Sequence, residues 1–359
     1  MLSMRIKTQS HEIPFYVGQN LWETLSSYLQ NNFPAHSIFV ICDSNIANRY
    51  TATAEQYLKA HPFFREILVF PAGEQYKSRD QKDRLEDLLL LAKAGRDSVI
   101  IAMGGGVTGD LAGYVAATLL RGVPLIHLPT SLLAQVDSSI GGKVGINHAT
   151  GKNLIGAFYQ PQAVFCDVDF LNSLPNEEFY NGMAEVIKYA VILDEELWHW
   201  LETESDQILQ RNVDVLKKII TRCIKLKINV VEADEKETGY RSILNFGHTV
   251  GHAIEKLTVY QVKHGFAIAA GMKIAAALSE KHLNYPPGYV KRLWQLIDRF
   301  QLNRVQPNQF SIDELWQCMV SDKKARRQIP RFTLMKSPKE PELFYPIEKQ
   351  ELENALTSQ

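Results

Sequence analysis

The chain has 359 residues, with 39 basic and 40 acidic side chains and a formal net charge of -1. That balance excludes a whole-chain attraction to nucleic acid or to an anionic membrane, and the length exceeds one ordinary core, so two domains are expected. Four scattered cysteines without C-x-x-C spacing imply reduced thiols. The first residues have no apolar run, and no later stretch reaches the ~18 apolar residues of a membrane span, so a soluble cytoplasmic protein is expected.

Residues 1–172 alternate β-branched runs with helical patterns, as βαβ units on a parallel sheet do. Ser37-Ile-Phe-Val-Ile-Cys42 reads as a buried strand ending in Asp43-Ser-Asn45, and Ile67-Leu-Val-Phe70 as a second, ending in Pro71-Ala-Gly-Glu74 and reaching Lys77. A helix is expected over 78–94, capped by Ser78 and stopped at Gly95. The strand Ser98-Val-Ile-Ile-Ala-Met103 runs into Gly104-Gly-Gly-Val-Thr-Gly109-Asp110, with a helix expected over 107–120. Further strands are expected at 124–128 and 163–166. From about residue 173 the texture changes to amphipathic helices at 177–193, 195–203, 213–233, 242–257, 265–282 and 288–300, with one extended piece at 330–335 and fraying over the last dozen residues.

Eleven of the 21 glycines fall between Gly104 and Gly156, where backbone must approach something closely. Gly104-x-Gly106-x-x-Gly109 fits the dinucleotide fingerprint, with a strand before it and a helix after it. The ribose-binding acid expected about 20 residues on is missing, since 111–136 holds no Asp or Glu. Asp43 and Glu74, ending the first two strands, are the candidates in its place. Downstream, Asp137, Lys143, Lys152 and Asn153 form a glycine-rich polar loop fit for a small anion; alone, each lysine would read as a solvated loop residue.

In the helical half, His248 and His252 stand four apart and share a helix face, with His264 close in sequence. Three histidines in an apolar segment point to a divalent metal, against the plainer reading of satisfied core histidines. Spacing alone makes His252 the third ligand. Glu185 and Lys188, three apart on an otherwise apolar helix, read either as an intrahelical pair or as the carboxylate this cluster lacks.

Collinear motifs then cover nearly the whole chain: Pro71-Ala-Gly-Glu-x-x-Lys77, Gly104-Gly-Gly-Val-x-Gly-Asp110, Gln135-Val-Asp-Ser-Ser-x-Gly-Gly-Lys143, Gly151-Lys-Asn153, Ala184-Glu-Val-Ile-Lys-Tyr189, Asp234-Glu-x-Glu-x-Gly239, Asn245-Phe-Gly-His-Thr-x-Gly-His252 and Asp322-Lys-Lys324. In these the chain resembles the 3-dehydroquinate synthase family, sugar-phosphate cyclases of the shikimate pathway. The resemblance implies an α/β N-terminal Rossmann-like parallel-sheet domain (1–172) binding NAD, followed by a mostly α-helical C-terminal domain (173–359) binding metal and substrate. Zn²⁺, with Co²⁺ as a substitute, would be held by Glu185, His248 and His264, with His252 on the substrate instead. NAD would lie against Asp43, Asn45, Glu74, Lys77, Gly105, Gly106, Asp110, Thr130, Ser131 and Asp137, and Lys143 and Lys152 belong to both the cofactor and the substrate sets. Asn153, Lys188, Lys227, Arg241, Asn245, His252 and one of Lys323 and Lys324 would share the substrate's phosphate and carboxylate. Arg121 would come from the second subunit of a homodimer. Two departures stand out: Ser131 where a second Thr is usual, and Val144 where Thr is common.

The implied reaction takes 3-deoxy-D-arabino-heptulosonate 7-phosphate to 3-dehydroquinate by transient oxidation, phosphate elimination, re-reduction and aldol closure. Rival readings are a cyclase of the 2-deoxy-scyllo-inosose or valiolone type, a metal-dependent glycerol or alcohol dehydrogenase, and a catalytically silent nucleotide-binding regulator. The first needs no carboxylate pocket, and the second has no use for the anion-binding set and accumulates NADH.

Overall fold

The computed structural model describes residues 2–7, 12–320 and 329–357. The chain divides into two compact units, Met1–Leu174 and Pro175–Gln359.

In the first unit the strands are β1 (Leu2–Lys7), β2 (Glu12–Gly18), β3 (Ser37–Asp43), β4 (Phe64–Phe70), β5 (Ser98–Gly104), β6 (Leu125–Pro129), β7 (Lys143–His148), β8 (Gly151–Phe158) and β9 (Ala163–Asp167). The helices are α1 (Trp22–Asn32), α2 (Ser44–Leu58), α3 (Arg79–Leu91) and α4 (Gly106–Thr118). A seven-stranded sheet runs β1-β2-β9-β6-β5-β3-β4, parallel throughout except for the antiparallel edge strand β1. Strands β5 and β9 are buried along their whole length and β3 up to its last residue, which explains why they read as unbroken apolar runs rather than alternating ones. Apolar clusters lie on both faces of the sheet. One joins Trp22, Leu25 and Phe165, and the other joins Leu85, Leu111 and Val115.

One expectation fails here. The polar loop after Lys143 is an antiparallel hairpin, with Lys143 opposite Phe158 and His148 opposite Gly151. A Cβ on Gly156 would lie 2.1 Å from the Val144 carbonyl oxygen, so glycine is what lets β7 and β8 pair. Val144 itself is buried against Gly113 of α4, a packing position that suits a valine.

The second unit holds α5 (Asn176–Leu193), α6 (Glu195–Thr203), α7 (Ser205–Leu209), α8 (Val213–Ala233), α9 (His248–Leu257), α10 (His264–Leu283), α11 (Pro287–Arg299), α12 (Ile312–Val320), the strands β10 (Arg331–Ser337) and β11 (Glu340–Pro346), and α13 (Lys349–Thr357). Helices α5 and α10 are buried nearly all round and form its centre. The continuous helix expected over 242–257 is broken: a 3₁₀ turn ends at Asn245, Gly247 takes φ +79°, and α9 begins at His248. The extended piece is the first strand of a two-stranded ribbon. The C-terminal segment is helical rather than frayed, because Leu352, Ala355 and Leu356 are buried. All four cysteines are free, and no described helix is long and apolar enough to cross a membrane.

Candidate active site

In the first unit the chain leaves β3 for its outer neighbour β4, then returns to pair β5 on the other side of β3. Such a reversal opens a crevice at the carboxyl ends of β3 and β5, where open α/β sheets bind ligands. Asp43 ends β3 and caps α2, accepting from the amides of Asn45 (2.9 Å) and Ile46 (3.2 Å). Its second oxygen accepts from Thr108 Oγ1 at 3.1 Å, which ties the two sides of the reversal together. Gly104 makes room for that threonine, since a Cβ there would lie 2.3 Å from the hydroxyl. Gly105 begins α4 without a side-chain cap, an arrangement that suits an anion at the first-turn amides. Around this turn gather Gly106, Thr130, whose amide donates to the Gly104 carbonyl (3.0 Å), Ser131, and the turn Ala134–Ser138 that carries Asp137.

A second network flanks the first. Lys77 is buried, with its ammonium paired to Asp110 of α4 and donating to Asn153 Oδ1. The Asn153 backbone is left-handed at φ +54°, and its amide donates to Asn147 Oδ1 at 3.0 Å. Asn147 donates in turn to Glu74 Oε1 at 2.8 Å, and Lys152 Nζ lies 4.0 Å from the same oxygen. Thr108 and Asn147 organise this region without belonging to any of the expected site sets. Lys143 is exposed at the start of β7. Arg121 lies in the turn beyond the far end of α4, roughly 20 Å of helix from the glycine turn.

In the second unit the site is made by helices that touch backbone to backbone. A Cβ on Gly265 would lie 2.1 Å from Asn181 O of α5, and one on Gly271 would lie 1.9 Å from Gly247 O. Asn181 Oδ1 accepts from the Gly265 amide at 2.6 Å, and Lys263 Nζ pairs with Glu178 at 2.6 Å. These contacts pin the start of α10 to α5, which sets His264 over Glu185, one turn on from Asn181.

Glu185 is fully buried. Its Oε1 lies 3.2 Å from His264 Nε2 and 3.5 Å from His248 Nε2, while Lys188 Nζ pairs with its Oε2. The far nitrogens of both rings meet oxygens: His248 Nδ1 is 3.1 Å from Phe246 O, and His264 Nδ1 is 3.2 Å from Glu255 Oε2. A carbonyl only accepts, so His248 carries a proton on Nδ1, which leaves Nε2 as its ligand atom. Burial would lower the His264 pKa, but the Glu255 and Glu185 carboxylates outweigh it and raise it to about 10. Two carboxylates thus face one imidazole, a concentration of negative charge that a divalent cation would offset. One donor atom each from Glu185, His248 and His264 lies within 4.8 Å of the others, and the same holds for His252, Glu255 and His264. The His252 ring centre lies 5.2 Å from that of His248 and 6.2 Å from that of His264.

Lys188, Lys227 and Arg241 are all buried in this unit, on α5, α8 and the 3₁₀ turn Tyr240–Asn245, which pack on one another. Burying several cations is costly unless anions meet them. Arg241 is aimed by its surroundings. Its amide donates to Asp234 Oδ2 (3.0 Å) and its Nη1 to the Glu235 carbonyl (2.7 Å). Asn245 Nδ2 donates to Glu237 Oε1 at 3.3 Å. Lys323 and Lys324 lie outside the described residues.

Residues 67–181 match the profile of the 3-dehydroquinate synthase N-terminal domain, and residues 182–325 that of the 3-dehydroquinate synthase C-terminal domain. A 3-dehydroquinate synthase from Desulforamulus reducens is 40% identical over 98% of both chains. Another, from Pelobacter propionicus, is 46% identical over 82% of both. The chain belongs to the 3-dehydroquinate synthase family. It is therefore an enzyme of that family, a cyclase of the lyase type. Among solved structures, 2-deoxy-scyllo-inosose synthase in complex with carbaglucose-6-phosphate, NAD⁺ and Co²⁺ superposes with a TM-score of 0.90 at 28% identity, covering 99% of this chain and all of that one. The α/β unit followed by a helical unit is the architecture of this 3-dehydroquinate synthase family member and of that neighbour alike.

Proposed function

We propose that this chain converts 3-deoxy-D-arabino-heptulosonate 7-phosphate to 3-dehydroquinate and inorganic phosphate, as an NAD- and zinc-dependent cytoplasmic enzyme of aromatic amino acid biosynthesis. The observation that carries the reading is the convergence of Glu185 Oε1, His248 Nε2 and His264 Nε2 in a unit that also buries Lys188, Lys227 and Arg241. One carboxylate and two imidazoles form a donor set suited to a catalytic zinc, or to cobalt, the metal in the neighbouring synthase complex. A second group, of His252, Glu255 and His264, overlaps the first at His264.

In this reading residues 1–172 bind NAD through Asp43, Asn45, Glu74, Lys77, Gly105, Gly106, Asp110, Thr130, Ser131 and Asp137, with Lys143 and Lys152 at its edge. Residues 173–359 bind metal and substrate. Bound zinc supplies Lewis acidity at a substrate oxygen, and NAD⁺ supplies a hydride acceptor that gives the hydride back. Lys188 pairs with Glu185 Oε2 on the side away from the imidazoles. Lys143, Lys152 and Asn153 in the first unit, and Lys188, Lys227, Arg241, Asn245 and His252 in the second, share the substrate's phosphate and carboxylate. The cations among them stabilise the charge the phosphate gains on leaving. A homodimer, with Arg121 of a second copy completing the substrate's anion-binding set, is part of the proposal and rests on the family resemblance.

The test is to incubate the protein with NAD⁺, Zn²⁺ and the heptulosonate phosphate, and to follow phosphate and NADH. Phosphate release without net NADH is the expected result. Accumulating NADH, or release only from other sugar phosphates, overturns the substrate assignment.

A further inference from the structure

His264 stands between two carboxylates, with Glu185 at Nε2 and Glu255 at Nδ1, both at 3.2 Å. The ring faces both donor groups to which it belongs: its Nε2 meets the carboxylate of the group with Glu185 and His248, and its Nδ1 the carboxylate of the group with Glu255 and His252. At His248 the Phe246 carbonyl fixes the proton on Nδ1. Glu255 is 2% exposed, on the third turn of α9. A carboxylate with so little solvent is an expensive residue to keep there unless its oxygen has a task.

We infer that Glu255 is a positioning residue: it accepts the Nδ1 proton of His264, directs Nε2 at Glu185, and so decides which of the two overlapping donor groups takes the cation. Carboxylates that accept from a metal-bound imidazole orient the ring and raise its basicity, and losing one weakens metal binding by about 10–100-fold. The inference rests on the proposed metal binding, and wild-type zinc stoichiometry tests that separately.

The experiment measures zinc affinity by competition with a chromophoric chelator in the wild type, Glu255→Ala, Glu255→Gln and Glu185→Ala, with thermal unfolding of each as a fold control. It adds imidazole ¹⁵N shifts of the zinc-loaded wild type, which need no variant. Glu255→Ala is expected to bind zinc about 10–100-fold more weakly. Glu255→Gln keeps an accepting oxygen and should recover most of that loss, and the His264 shifts should show zinc on Nε2. Zinc on Nδ1 of His264 overturns the inference. So does a glutamine variant as weak as the alanine one while Glu185→Ala keeps its zinc, because Glu255 is then itself a ligand. Unchanged affinity in both Glu255 variants overturns it as well. A wild type that binds no zinc refutes the proposed metal site instead.

Discussion

The glycine turn of the first unit and the helix junction of the second both depend on glycine, and they use it in opposite ways. At the start of α4, Gly105 and Gly106 clear space beside serine hydroxyls, which leaves backbone amides facing outward. In the helical unit, Gly265, Gly271 and Gly247 clear space for other backbone, so that α5, α9 and α10 close on one another and side chains do the binding. The same residue type thus makes a backbone site in one unit and a side-chain site in the other. The consequences of filling the space differ accordingly.

Gly271→Ala breaks this comparison most severely. Its Cβ would sit 1.9 Å from the Gly247 oxygen, and neither helix can yield without moving His248. The expected cost is about 3 kcal/mol or more in urea unfolding, accompanied by loss of zinc retention. Gly105→Ala is the counterpart. Its backbone, at φ −77°, accepts any residue, and the new methyl would meet only the Ser131 side chain, with Oγ at 3.3 Å. Stability should change by less than about 1 kcal/mol, while NAD⁺ affinity falls in a calorimetric titration. Equal stability losses in the two variants would remove the distinction.

Removing a ligand sharpens the side-chain half. Glu185→Ala and His248→Ala should each weaken zinc binding by more than the about 10–100-fold that an outer partner contributes, and a chelator should abolish turnover. Zinc retained at full stoichiometry in either variant contradicts the assignment. In the sheet unit, Thr108→Val deletes the hydroxyl that bridges the strand reversal and leaves Asp43 one donor short. A loss of about 1–2 kcal/mol is expected, read from the denaturation midpoint.

The parts legible in the sequence were those whose physics is local. The buried runs of β3 and β5 and the amphipathic texture from α5 onward follow from residue pattern alone. The β7–β8 hairpin did not, because its residues face partly outward and its glycines suggested a loop. A single helix through Asn245-Phe-Gly-His248 was the natural reading of the spacing, but the left-handed Gly247 breaks it there. Spacing also favoured His252 beside His248, whereas in space His264 comes as close, because α10 begins against α5. Glu255, Asn181 and Thr108 gave no signal, since their partners stand 9, 84 and 65 residues away and no motif names them.

The smallest effect concerns how Arg241 is held. Asp234 accepts from the amides of Thr238, Gly239 and Arg241 and from the Thr238 hydroxyl. Its partial burial would raise the pKa, but these donors outweigh it and lower it from 3.8 to about 2. A carboxyl depressed on folding contributes its stability above the unfolded value and loses it as pH falls through the folded one, here between roughly pH 4 and pH 2. Wild type should therefore lose about 1 kcal/mol more than Asp234→Asn between pH 5 and pH 2.5, the solvent near the turn screening the rest. Parallel pH dependence in the two proteins would mean that the turn carrying Arg241 is held by the Glu235 carbonyl and its packing, and that Asp234 is incidental to aiming the guanidinium.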